Sequence, residues 1–405
     1  MRSFAALTGA ILVLTAGHLR GNEPPRELQT SQRTTPPGVV QSPNDPRFMT
    51  VEDTDVVLAS LPHYPFEMDE AAIQAIKNRP LPPGANGAKV IQATPTRFGA
   101  GSIAAAPPLG TNFEAFSMSN FVPPDPIMAA GPNHLILAVN LSWGVWSKSG
   151  QPRFFISFQS WFAPVNTLNL GYSDPKVMYD PYAGRWILMC IGYGSSTNRR
   201  GAYFVSVSAN SDPTGLWYSW MIPVRNDGTF PDFPGVGFDA GEAVYFSGNH
   251  IRLSDGQFSY ASVIVLKKSE LYADNPAVPP LTVREFFGMQ NPSTAGLTFT
   301  IKPAENFGSP LSGTFLVNTQ GSVGSKIELW RLADPLGSPS LTHRSTITVG
   351  SYSAPPDARQ PTISALIATN NSTVQSEVQY REGNLYFAFP QAHNFDTLTV
   401  SAIRY

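Results

Sequence analysis

The segments DPIMAAGPNHLILAV (125–139) and DPKVMYDPYAGRWIL (174–188) follow one pattern. Each sets Asp-Pro before a short apolar strand, then a Pro/Gly turn, then a stronger apolar strand. The copies begin about 49 residues apart, a period that belongs to propellers or solenoids rather than to single sandwiches. A looser third copy is DFPGVGFDAGEAVYF (232–246), and weaker ones lie near Ala304–Asn318 and Ser376–Phe389. Each interval has room for about four strands, the content of one propeller blade. The pattern therefore predicts an all-β fold, a β-propeller of about five or six four-stranded blades.

The rest of the chain from about Gly110 onward agrees. Strand-length runs such as RFFISFQ (153–159), AYFVSVS (202–208), LWYSWMI (216–222), ASVIVLK (261–267) and KIELWRL (326–332) are separated by turn residues. No amphipathic helix of ten or more residues interrupts them, which excludes a βαβ architecture. The corners have a mechanism: in Asp180-Pro181-Tyr182-Ala183-Gly184 and Asp212-Pro213-Thr214-Gly215, Asp accepts from the backbone ahead, Pro presets φ and Gly frees the exit.

Two segments precede the propeller. Met1-Arg2-Ser3 and the apolar run Phe4–Gly17 read as a secretory signal, too short to span a bilayer, so residues 1–21 are expected to be a cleaved signal peptide. Residues 22–108 are punctuated by Pro-Pro pairs and are expected to form an extended arm that carries little of the fold, with one short helix over 67–78. The propeller is expected over 109–405. At the far end, Thr397–Arg404 reads as a strand at the very end of the chain. It either closes the ring or leaves the propeller incomplete, and the lack of a complementary strand in the arm favours the second.

Charged residues are only 14% of the chain and the net charge is −2, so no electrostatic field points to nucleic acid. The single cysteine, Cys190, lies in the apolar run WILMCI (186–191), which predicts a core thiol in a protein without intramolecular disulfides. The expected location is secreted, periplasmic or the cell envelope. The N-x-S/T triplets at Asn140, Asn370 and Asn371 are read as chance matches.

The run SDPKVMYDPYAGRW (173–186), followed by VSVS (205–208), DPTGLWY (212–218) and PDFPGVG (231–237), resembles secreted bacterial β-propeller proteins with a DPxxxYDxxxGRW blade motif, mostly uncharacterised. The resemblance spans about residue 110 to the end and is strongest between 121 and 250. It implies an exported propeller and says little about activity. There is no WD or kelch double-glycine series, and Gly215 sits three residues after Asp212 where a sialidase Asp-box needs two.

Chemistry has few carriers. The six histidines are scattered without a metal-ligand pair, and neither a phosphate loop nor a nucleophile elbow occurs. What remains is the series of carboxylates at blade entrances, Asp125, Asp174 and Asp232, with Asp239 close behind. Turn capping explains their spacing first. Ca²⁺ ligation and acid–base catalysis are the alternatives, and no other cofactor is expected. The Trp pairs 143/146 and 217/220 alternate across a strand, so each pair should place its members on opposite sheet faces, in the core. The leading expectation is a non-enzymatic module that binds an extracellular glycan or protein through blade loops, with no nucleic acid and no membrane span. The alternative is a glycoside hydrolase that uses the carboxylates at the channel mouth.

Overall fold

Runs of β-branched and aromatic residues between Gly/Pro corners can satisfy their backbone groups only by pairing with one another. The chain accordingly forms twenty-four strands and two short helices among the described residues. A computed structural model describes residues 28–45, 110–116, 124–195, 197–308, 312–359, 366–369, 371–395 and 398–405. The all-β expectation holds. The expected signal peptide (1–21) and the helix over 67–78 lie outside the described residues.

Two strands come from the N-terminal arm, β1 (Gln29–Thr34) and β2 (Val39–Gln41). The first antiparallel meander is β3 (Ile127–Ala130), β4 (His134–Val139), β5 (Ser142–Ser147) and β6 (Pro152–Ser157). Helix α1 (Phe158–Phe162) follows, capped by the Ser157 hydroxyl, which accepts from the Ser160 N–H. The second meander is β7 (Gly171–Asp180), β8 (Arg185–Tyr193), β9 (Gly201–Ser208) and β10 (Trp217–Pro223). The third is β11 (Thr229–Phe238), β12 (Ala243–Arg252), β13 (Phe258–Lys267), helix α2 (Lys268–Leu271) and β14 (Thr282–Phe287). The fourth is β15 (Lys302–Phe307), β16 (Thr314–Thr319), β17 (Gly324–Ala333) and β18 (Ser340–Tyr352). The remainder is three hairpins: β19 (Ala358–Arg359) with β20 (Leu366–Ile367), β21 (Val378–Arg381) with β22 (Asn384–Tyr386), and β23 (Phe389–Phe395) with β24 (Leu398–Arg404).

The leading strands of these units lie side by side. β3 packs on β7 and β7 on β11, while β11 pairs with β15, and β15 with β21, in parallel. Hydrogen bonding continues from the third meander into the fourth and on to β21, joining β1, β11 to β18, β21 and β22 into one eleven-stranded sheet, while the first and second meanders form separate sheets of four and five strands. Glycine permits this approach: a Cβ on Gly237 of β11 would stand 2.6 Å from the Ala304 carbonyl oxygen of β15.

The core lies between meanders. Trp143 and Trp217 meet edge to face at 5.2 Å in one cluster, together with Trp161 and Trp186. Their sequence partners Trp146 and Trp220 face the other way into different clusters, as strand alternation requires. Cys190 is buried and free.

The arm departs from expectation at residues 29–41. β1 adds to the outer edge of β14 and β2 to that of β10. Thr35 and Gly38 donate backbone hydrogen bonds to Leu281 and Val278, and Arg33 pairs with buried Glu285 at 2.6 Å. The proline count obscured a local alternation, Gln29 to Thr34, that suits an edge strand. Among the described residues no helix is long and apolar enough to cross a membrane.

Candidate functional site

Three of the four proposed site carboxylates converge. Asp125 and Asp174 each precede a proline at the start of a leading strand and hold left-handed backbone, φ 43° and 51°. In the third copy the pre-proline position passes to Phe233, φ 51°, one residue after Asp232. β-bulges interrupt the ladder between Ser173 and Lys176 and between Asp232 and Gly235. Bulges and strained non-glycine residues re-aim side chains, and here they turn the three carboxyls toward one another.

Asn140 ties the first two together. Its Nδ2 donates to Asp125 Oδ2 at 2.8 Å, and its Oδ1 accepts from the Asp174 backbone N–H at 2.8 Å. Asp174 in turn accepts from the Ser173 hydroxyl on Oδ1 (2.6 Å) and from the Phe233 N–H on Oδ2 (3.1 Å), which reaches the third copy. Asn140 is 4% exposed.

Burial, then the neighbouring Asp174, pushes the Asp125 carboxyl up to about 6. The same two causes, in the same order, drive Asp232 well above the usual carboxylate range. Packing three carboxyls together thus keeps protons on some of them near neutrality.

Asp239 does not join them. It lies just past the far end of β11, fully buried. Its Oδ1 accepts from the N–H groups of Gly241, Glu242 and Ala243, and its Oδ2 from the Tyr245 hydroxyl and the Gly313 N–H. It is a turn-capping group, as is Asp180 at the corresponding corner of the second meander. The sequence grouped Asp239 with the entrance series by proximity to Asp232, but the part of β11 from Phe233 to Phe238 separates them.

A second layer sits deeper and was not foreseen. Lys176 of β7 pairs with Glu377 at 2.7 Å. Burial works against both charges, yet their attraction prevails: Glu377 is held below, and Lys176 above, the ordinary value. Lys302 donates to the Pro234 carbonyl at 2.6 Å and lies 4.1 Å from the centre of the Phe233 ring. Burial and then Lys176 bring it down to about 7. Glu305 of β15 is 8% exposed, and burial followed by the nearby Glu377 pushes it up to about 8. Glu305 and Glu377 both line a cavity of about 800 Å³ walled by β3, β7, β15 and β21, with Tyr182, Phe307 and Arg381 also on its surface. The fourth and fifth repeat copies, near Ala304 and Ser376, held these glutamates, but their weak apolar pattern left them unremarked.

Among the described residues no group of three or more His, Cys, Asp or Glu is arranged to hold a metal ion.

No family model and no curated protein matches the sequence. Among solved structures, similar ones include xylan β-1,4-xylosidase from Bacillus halodurans C-125, at 13% identity and TM-score 0.33 over 69% of this chain and 52% of that one. An exo-β-1,3-galactanase from Clostridium thermocellum aligns at 12% and 0.32 over 73% and 64%. One from Phanerochaete chrysosporium aligns at 10% and 0.32 over 66% and 56%. The chain thus spans between about half and two thirds of the length of these proteins. Likeness this loose carries no argument, and the chemistry rests on the site's own geometry.

Proposed function

We propose that the protein is an exported carbohydrate-active β-propeller whose entrance carboxyls cleave glycosidic bonds. The observation that carries the reading is the convergence of Asp125, Asp174 and Asp232 from three successive leading strands, with two of them protonated above the usual range. The propeller reading is supported by five leading strands, β3, β7, β11, β15 and β21, arrayed in sequence order, four of them bordering the cavity.

Glycoside cleavage needs one carboxyl that gives a proton to the leaving oxygen and another that activates the nucleophile. Asp232, held protonated by burial, supplies the first. Asp125, ionised above about pH 6, supplies the second. Asp174 adds to burial in raising both, and Asn140 fixes the spacing of Asp125 against Asp174. This ranks catalysis above the purely binding role, because a binding surface has no need to crowd three acids.

The test is release of reducing sugar from a panel of plant, algal and bacterial polysaccharides and of nitrophenol from aryl glycosides. Turnover that Asp232→Asn lowers by about 10² or more, with folding unchanged, supports the reading. Binding of a glycan without turnover across the panel returns the protein to the non-enzymatic role.

A further inference from the structure

The cavity wall carries the carboxyls of Glu305 and Glu377, and Glu377 is paired with Lys176. Glu305 of β15 stands opposite Gln379 of the parallel strand β21, and Glu377, two residues before Gln379, immediately precedes that strand. Lys176 is committed to Glu377, and Lys302 to the Pro234 carbonyl. Among the described residues no group hydrogen-bonds the Glu305 carboxyl, although it is more than nine-tenths buried and faces the cavity. A buried carboxyl without a partner stays neutral or waits for a counter-ion from outside. The walls suit such a guest: Met128, Tyr179, Tyr182 and Phe307 offer apolar and aromatic surface around the carboxyl floor.

We propose that this cavity binds a protonated amine against Glu305, the ligand class being a glycan with free amino groups. The sugar part rests on the carbohydrate reading above, while the amine part rests on Glu305 alone. The incoming ammonium supplies the missing counter-ion, and the Glu305 proton leaves to solvent as the ion pair forms. The charges facing Glu305 are Glu377 and Lys176, with Lys302 beyond Glu377 and Arg381 and Glu382 elsewhere on the cavity wall. Because Glu305 is held up to about 8, it is protonated at pH 7 in the free protein and has a proton to release.

Calorimetry of the whole chain at about pH 6, where the glucosamine amine is already charged and Glu305 still protonated, reads that proton directly in two buffers of different ionisation enthalpy. Glucosamine should bind with release of about one proton per site. Glucose and N-acetylglucosamine should bind at least about tenfold more weakly and release none. Glu305→Gln, which resembles the protonated acid, should keep the fold, abolish proton release and weaken amine binding about tenfold or more. Equal affinity for the neutral sugars, amine binding without proton release, or no amine binding overturns the proposal. Hydrolysis of neutral glycans with no amine binding sinks this proposal and leaves the catalytic reading standing. Amine binding with proton release but no hydrolysis of any glycoside does the reverse.

Discussion

Asn140 Nδ2 donates to Asp125 Oδ2 at 2.8 Å, and the same amide accepts the Asp174 backbone N–H through its oxygen. One buried side chain therefore sets the distance between carboxyls contributed by two different meanders. Asn140→Ala leaves both groups without that partner, at a cost of about 1–3 kcal/mol. It also removes a hydrogen bond that lowers the Asp125 carboxyl, so that group should titrate above about 6. Carboxyl ¹³C NMR of Asp125 against pH checks the direction, and a downward shift contradicts it.

The N-terminal strand is a structural member of the fold. Arg33 of β1 reaches Glu285 at 2.6 Å, and its Nε donates to the Pro223 carbonyl, so it bridges the third meander to the second. The Glu285 side chain is fully buried. Arg33→Ala strands that charge and should destabilise the protein by about 3–5 kcal/mol in urea unfolding. The double variant Arg33→Ala/Glu285→Gln should recover part of the loss. A single-variant effect below about 1 kcal/mol would mean β1 contributes little.

Glu305 should give the fold a pH dependence of known sign. Its folded value, about 8, lies above the unfolded 4.5, so the native state holds more protons between those values. Stability then falls as pH rises from about 4.5 to 8, by at most roughly 5 kcal/mol. His250 acts on the other side. Burial lowers it to about 3, so its contribution is present above the unfolded value of 6.5 and is lost as pH falls toward 3. Urea midpoints for Glu305→Gln at pH 5 and pH 8 should differ less than those of the wild type. An unchanged difference removes Glu305 as the source.

Gly237→Ala tests the close packing of the leading strands. The added Cβ meets the Ala304 carbonyl oxygen at 2.6 Å, a backbone atom that cannot swing aside. Separation of β11 from β15 should cost on the order of 1–3 kcal/mol by thermal or urea unfolding. No loss would show that the pair relaxes without strain.

The all-β class and the entrance acids were legible because an Asp-Pro or Asp-Phe-Pro stands at the entrance to β3, β7 and β11, with a bulge following it in β7 and β11. Asp239 looked equivalent only in the linear sequence, since the β11 residues from Phe233 to Phe238 carry the chain away from Asp232 to the far end of the strand. Asn140 was illegible for a different reason. Its role depends on a hydrogen bond to Asp174, thirty-four residues away, and no local pattern encodes that. Glu305, Glu377 and Lys302 fall in units whose apolar pattern had weakened, so their convergence on Lys176 emerges only from the parallel pairing of β15 and β21.

The most direct test of the account is the pH dependence of kcat/KM for glycoside cleavage in the wild type and in Asp174→Asn. The wild type should lose activity as pH falls through about 6, where Asp125 takes up its proton. Removing the Asp174 carboxylate removes one of the two causes that raise Asp125, so the acidic limb should move to lower pH. A limb that stays in place, or turnover indifferent to Asp125→Asn and Asp232→Asn, would contradict the claim that these carboxyls act as one coupled catalytic group.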